Sequence, residues 1–385
     1  MSLRPIYLDF AAATPLDRRV FAAMEPYLLS DFYNPSALYQ ASRRVRHEYE
    51  DARHSIAKTI GVKQHEIIMT AGATESCNLA IRGVMTTYGG RVAVAGIEHQ
   101  AVLDTAQQFD CDAIEVELSG LITAEAVRRS IREDTVLVSI GYINNELGTV
   151  QPLRDIAAVV HDERQKRLRS GSTWPLFLHT DASQAFGVVD CAVSRLGVDM
   201  MTLNAAKCYG PKQVGVLWSR PTIQLAPLIY GGGQESGLRS GSENVAGAIG
   251  CAMAMTLAHD ERKAEAARLA SLRDDLQRRL HAEIPAIVIN GHPKRRAPHI
   301  LHMSLEGLDG ERAVLALDEH GVMAATGSAC AAQRGARSHV LKAVGMSDES
   351  IDGSLRFSLG RTTTEEDIAE VADRIVNVLK KEHMR

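Results

Sequence analysis

The sequence predicts an α/β fold: a large, mainly parallel sheet covered by helices, joined to a smaller α+β unit. Three observations carry this prediction. Short apolar runs alternate with helix-length segments between residues 66 and 220, the order expected of βαβ units. The run TVLVSIGYI at 135–143 is apolar throughout, as a strand covered on both faces must be. Past a long helical pattern at 243–282 the order changes to two strands, a helix, a strand and a helix, which marks a second unit. The chain has 385 residues, 45% of them hydrophobic and 23% charged, ample for more than one buried core. We expect a large unit at 16–258 and a small one made of 1–15 and 259–385.

Taken in order, residues 4–15 (RPIYLDFAAATP) read as an arm bracketed by Pro5 and Pro15. Residues 17–30 form a helix with Val20, Met24 and Leu28 on one face. Asp31 to Pro35 is a turn, because Asn-Pro favours turn initiation. A polar helix at 41–59 is stopped by Gly61. EIIMT (66–70) is a strand, and the small residues from Gly72 to Ser76 open a helix. RVAVAG (91–96) is a strand leading into Glu98 and His99. A helix at 123–132 precedes the apolar run, which ends at Asn144-Asn-Glu-Leu-Gly148. Helix 153–168 carries the charged cluster DERQKR. LFLHTD, DMMTLNAAK and VGVLWSR (214–220) are further strands. GGGQE at 231–235 reads as a flexible loop. The second unit contains AIVING (286–291), HILHMSL (299–305), a helix at 310–320, SLRFSLG (354–360) and a closing helix at 364–381. Thr363 with Glu366 is the expected capping box of that last helix.

The net charge is −4 and there is no basic stripe, so nucleic acid is not expected as the direct partner. No apolar run approaches ~18 residues, so no membrane span is expected. The six cysteines are scattered without a CxxC pair, which argues against structural zinc and for a reducing, cytoplasmic setting.

The chemistry gathers at strand ends. Asp181 ends one apolar run and Lys207 the next. A lysine in a closed pocket loses solvation and becomes a nucleophile, and a nearby carboxylate would keep a pyridine nitrogen protonated. A surface lysine beside a Gly-Pro turn is the plainer alternative. Free N–H groups at the helix start in Gly72-Ala-Thr-Glu-Ser76 suit a phosphate, with Thr74 and Ser76 adding hydroxyls, or the stretch is simply an N-cap. His99 suits ring stacking and proton transfer near neutral pH, or a structural hydrogen bond. Asn145 and Gln184 are neutral donors at strand ends. Cys330 lies in GSACAAQRG, a small, polar stretch that reads as an exposed loop, where a working thiol is favoured over a buried one. Arg356, on a strand, needs a carboxylate: that of a substrate, or an internal Asp or Glu.

Together these stretches resemble the cysteine desulfurases of the class-V aminotransferase family, fold-type I pyridoxal-phosphate enzymes whose large domain carries a seven-stranded sheet. The motifs keep the family order over nearly the whole chain: YLDFAAATP, YNPS, GATES, IEHQAV, NNELG, HTDASQ, AAKCYGPK, GGGQESGLRSGS, GSAC and SLRFSLGR. Leu341, eleven residues past Cys330, fits the subgroup with a long cysteine loop. The resemblance implies pyridoxal 5'-phosphate bound to Lys207 as an imine, with Asp181 on the pyridine nitrogen, Gln184 on the ring oxygen and His99 stacked on the ring. Ala73, Thr74 and Asn204 would bind the phosphate, joined by Ser242 from the other subunit of a homodimer. Asn145, Arg356 and Asn34 would hold the L-cysteine carboxylate. Cys330 would take the sulfur as a persulfide for a protein acceptor, leaving L-alanine. A selenocysteine lyase, a cysteine-sulfinate desulfinase and a degenerate member acting as a binding partner are the competing expectations. The chain departs from the family at Asn204-Ala-Ala-Lys207, where Ser-x-His-Lys is usual, and at Ala13, Tyr39, Ser236 and Ser242.

Overall fold

The computed structural model describes residues 4–327 and 337–383. A seven-stranded sheet dominates it. Its strands are β2 (Ile67–Thr70), β3 (Arg91–Ala95), β4 (Cys111–Ile114), β5 (Thr135–Ser139), β6 (Phe177–Asp181), β7 (Met200–Asn204) and β8 (Gly215–Ser219), in the order β2-β8-β7-β6-β5-β3-β4. Only β8 runs against its neighbours β2 and β7; the other pairs are parallel. β5 and β8 are buried along their whole length, because helices cover both faces. β4 was not anticipated. It is an edge strand, and its mixed pattern CDAI carries no strong strand signal.

Helices α1 (Arg18–Leu29) and α2 (Gln40–Ile60) precede these strands, and α3 (Ala73–Tyr88), α4 (Gln100–Ala106), α5 (Ala124–Ser130), α6 (Leu153–Ser170) and the short α7 (Val193–Leu196) alternate with β2 to β7. Gly61, at φ +73°, supplies the left-handed residue that closes α2, where a side chain would be strained. Among the described residues, no helix is long and apolar enough to cross a membrane.

A second core lies around a three-stranded sheet of β9 (Val288–Ile289), β10 (Ile300–Ser304) and β12 (Ser354–Ser358). Helix α9 (Gly310–Glu319) and the C-terminal helix Glu365–His383 cover it. The N-terminal arm joins this unit: β1 (Ile6–Tyr7) pairs in parallel with β11 (Val322–Met323), and Asp9 bridges Ser358. Helix α8 (Val245–Glu283) runs unbroken across residue 258 and serves both cores. Cys251 and Met255 pack into the large one, and Leu272 and Leu276 into the small one.

Two local expectations are corrected. The capping box of the last helix is Thr364 with Asp367, each accepting from the other's backbone N–H at 3.1 and 2.9 Å; Thr363 instead accepts from Gly360 N. Asp and Glu serve this role alike, so the sequence offers two registers one residue apart. The GGGQE loop is also pinned. The buried side chain of Glu235 accepts from Tyr49 Oη, Met69 N and both terminal nitrogens of Arg53 at 2.6–2.7 Å.

Candidate active site

The parallel strands β7, β6, β5 and β3 end at one edge of the sheet, where open α/β sheets collect their ligands. The turn after β2 joins them there. Thr70 pairs with Gly215, and Gly215 with Asn204, so the ends of β2 and β7 flank the start of β8. A Cβ at Gly215 would lie 2.4 Å from the carbonyl carbon of Gly72, so this close approach of backbones requires glycine. Gly72 itself sits at φ +134° and starts α3, leaving the N–H groups that follow it open to a ligand.

A cavity of about 240 Å³ opens at this edge. Ala73, Thr74, His99, Asn145, Asp181, Gln184, Asn204, Lys207 and Arg356 all line it. They come from separate parts of the chain: Ala73 and Thr74 after β2, His99 after β3, Asn145 after β5, Asp181 and Gln184 at the end of β6, Asn204 and Lys207 at the end of β7, and Arg356 on the strand Ser354–Ser358, which is why their clustering is a property of the fold. Asn34 and Ser242 do not line it; both are exposed, and Asn34 Oδ1 accepts from Ser36 N at 2.8 Å. Cys330 falls outside the described residues.

Lys207 lies at the end of a short 3₁₀ turn, Ala205–Lys207, and not on the strand expected to reach it. The strand stops at Asn204, whose Oδ1 caps the turn by accepting from Ala206 N at 3.1 Å. Lys207 Nζ donates to the carbonyls of Ala11 and Ala12 at 2.7 and 2.6 Å, and Gln184 Nε2 donates to Ala11 O at 2.9 Å. The arm therefore forms one wall of the site. The turn also separates Lys207 from Cys208, for a reason different from strand alternation. Cys208 Sγ turns inward to Ala205 O at 3.4 Å, and burial pushes its thiol up to about 12.

Asp181 Oδ1 accepts from Ser183 N at 2.9 Å and from Ser183 Oγ at 2.6 Å, which orients the carboxylate. Beneath it, His179 bonds Ser139 Oγ and Thr202 Oγ1, and burial pulls its imidazole down to about 4. His99 caps α4, its Nδ1 accepting from Ala101 N at 3.0 Å. In the neutral ring the proton then sits on Nε2.

Arg356 is nearly fully buried. Its Nη2 donates to Asp9 Oδ1 at 2.6 Å and its Nη1 to Asn145 O at 3.0 Å. The internal carboxylate that the sequence left open is thus Asp9, and the guanidinium ties the arm, the β5 loop and β12 together at the cavity wall.

Several lining residues had no assigned role. Glu98 is buried, both its carboxylate oxygens lying 2.9 Å from Gly141 N. Burial pushes its carboxyl up to about 8; the Gly141 N–H pulls it down, and the Asp181 charge adds to the rise. Asn144 holds the loop shape: Oδ1 accepts from Glu146 N and Leu147 N, and Nδ2 donates to Ile97 O. Arg82 and Lys212 stand with Thr74, Asn78 and Ala206 around a wider opening next to Lys207. Thr74, Asn78 and Arg82 follow one another at helical spacing of four, a signal visible in the sequence.

The model of the family described as Aminotransferase class-V matches residues 6–371. Cysteine desulfurase IscS of Dictyoglomus turgidum is 38% identical over 98% of this chain and 95% of its own. Cysteine desulfurase IscS 1 of Archaeoglobus fulgidus is 39% identical over 97% of this chain and 95% of its own. A solved NifS-like protein superposes with a TM-score of 0.90 at 31% identity, covering 98% of this chain and all of that one. The structure of SspA in complex with cysteine superposes with a TM-score of 0.78 at 32% identity, covering 92% of this chain and 98% of that one. With a sheet edge that gathers a lysine and an acid beside a buried arginine, and with relatives of this kind along its length, the chain belongs to the class-V aminotransferase family, among its cysteine desulfurases.

Proposed function

We propose that this chain binds pyridoxal 5'-phosphate on Lys207, converts L-cysteine to L-alanine, and leaves the sulfur on Cys330 as a persulfide for a protein acceptor. The observation that carries the reading is that Lys207 and an oriented Asp181 line one cavity with a helix start and a buried arginine. The family is pyridoxal-phosphate dependent, and the donor set here fits the group. Asp181, fixed by Ser183, suits the pyridine nitrogen. Gln184 suits the ring oxygen and His99 the ring face. The N–H groups at Ala73 and Thr74 suit the phosphate, with Arg82 and Lys212 adding positive charge at that end. When bound, the cofactor supplies an electron sink.

The rest is done by this chain. Arg356 and Asn145 hold the substrate carboxylate; Asp9 and the Asn145 carbonyl fix the guanidinium in place. His99 moves protons through Nε2. Cys330 attacks the substrate sulfur as a thiolate. The remaining thiols suit this less: burial pushes Cys191 and Cys208 up to about 12. Ser242, exposed and away from its own chain's cavity, supports a homodimer in which it serves the partner's phosphate site. We read residues 16–258 as the cofactor unit and 1–15 with 259–385 as the small unit. All five cysteines among the described residues are free thiols, in keeping with a cytoplasmic setting.

The test is a visible spectrum of the purified protein before and after L-cysteine, with alanine and sulfide assayed and the added sulfur located by mass spectrometry. Cys330→Ser should keep the cofactor and bind cysteine but make almost no alanine. Alanine production intact in Cys330→Ser, or sulfur found on Cys208, would overturn the assignment.

A further inference from the structure

We propose that Glu146 is a positioning residue for sulfur transfer, a buried carboxylate that holds the two stems flanking residues 328–336 at a set spacing. The inference rests on the desulfurase reading above. Glu146 lies in the Asn144–Gly148 loop next to Asn145 and is fully buried. Its Oε2 accepts from Ser338 Oγ at 2.5 Å. Ser338 is itself buried and caps the helix His339–Ala343, accepting from Leu341 N at 3.2 Å. The same Oε2 would lie 3.1 Å from a Cβ on Gly327, so the other stem packs against the carboxylate more closely than a side chain would comfortably allow.

Both stems are also keyed to the site. Ala325 and Arg356 exchange backbone hydrogen bonds of 3.2 and 2.6 Å. His339 Nε2 lies 2.9 Å from Glu98 O, and its Nδ1 lies 3.2 Å from Gln100 Nε2, so the second stem brackets His99. One carboxylate thus links the segment holding the substrate arginine to the segment holding the proton carrier. Stability alone does not account for it. Among the described residues, Oε1 of Glu146 is buried without a hydrogen-bond partner. An unsatisfied buried oxygen is unfavourable, and an apolar residue of similar volume would avoid that cost. What the acid adds is a fixed acceptor between two stems.

Sulfur transfer needs an in-line approach, and loose placement of a reacting group costs rate more than binding. Ser338→Ala should therefore slow single-turnover persulfide formation about tenfold, the order of one lost buried hydrogen bond, with KM and cofactor content unchanged. Ser338→Thr, which keeps the hydroxyl, and Glu146→Gln, which keeps an acceptor oxygen, should recover most of the rate. Glu146→Ala should match Ser338→Ala; if it does not fold, Ser338→Ala carries the comparison. Wild-type persulfide rates in Ser338→Ala, or an equal loss in Ser338→Thr, would overturn the proposal. A readout without turnover separates it from the desulfurase reading. In the cofactor-loaded protein without substrate, Cys330 should be alkylated by iodoacetamide severalfold faster in Ser338→Ala than in wild type. If wild type makes no alanine, the desulfurase reading fails, while an unchanged alkylation rate overturns the anchoring itself.

Discussion

Replacing Glu98 by glutamine should change how stability depends on pH. The carboxyl is buried against Gly141 N–H and is raised from 4.5 to about 8, chiefly by burial. A carboxyl raised in this way binds its proton more tightly in the folded state than in the unfolded one. Its contribution is fully present below the unfolded value of 4.5 and is lost as pH rises through about 8. At about 1.36 kcal/mol per pKa unit, the loss by about pH 8.5 is on the order of 4 kcal/mol. Glutamine keeps the volume and an acceptor oxygen for Gly141 N–H but cannot ionise. Urea unfolding of wild type and Glu98→Gln should therefore differ little in pH dependence below about pH 5 and diverge above it, the variant gaining several kcal/mol relative to wild type by about pH 8.5. The buried histidines act in the opposite direction. Burial pulls His179 and His299 down to about 4, so their contribution falls as pH drops below the ordinary histidine value; being common to both proteins, it cancels in the difference. Difference infrared spectra near neutral pH should also show a protonated carboxyl stretch absent from the variant. A stability difference that stays constant across this range would refute the argument.

Three further outcomes follow from the site. Ala206→His should strengthen cofactor retention by roughly tenfold by restoring a donor at the phosphate end, and Asn204→Ala should weaken it because the cap on the Lys207 turn is lost too; equilibrium dialysis against the free cofactor reads both. Asp9→Asn should raise KM for L-cysteine more than it lowers kcat, because it removes the carboxylate that fixes Arg356; steady-state kinetics separate the two. Cys208→Ser should keep most activity, since that thiol points to Ala205 O inside the protein, and alanine assays with L-cysteine check it.

Much of the fold was legible because burial leaves a strong periodic signal. The apolar runs that became β5, β6, β7 and β8 are covered on both faces, and no other use of such runs in a chain of this size is as economical. The helix punctuation at Gly61 and Gly72 was legible for the same kind of reason, since only glycine adopts those backbone angles cheaply. Edge strand β4 was not legible, because an edge needs little hydrophobic cover. The last capping box was ambiguous by one residue, because Thr363 and Thr364 are chemically alike.

By itself, then, the sequence determined which residue types stand at or just past the strand ends, and in what order: Glu98 and His99, Asn145, Asp181, Lys207; it also put Arg356 on a strand. Strand ends are set by local burial and turn chemistry, which are written in short stretches of chain. Only the tertiary structure decided what each of them touches. Asp9 lies 347 residues before Arg356 in the chain and bonds it directly. Ala11 receives both Lys207 and Gln184, and Glu146 reaches Ser338 across 192 residues. These pairings depend on crossover connections and on how the N-terminal arm packs against β12. Charge and hydrogen-bonding capacity are carried by a residue alone, but a partner at 2.5–3.0 Å is supplied by the fold.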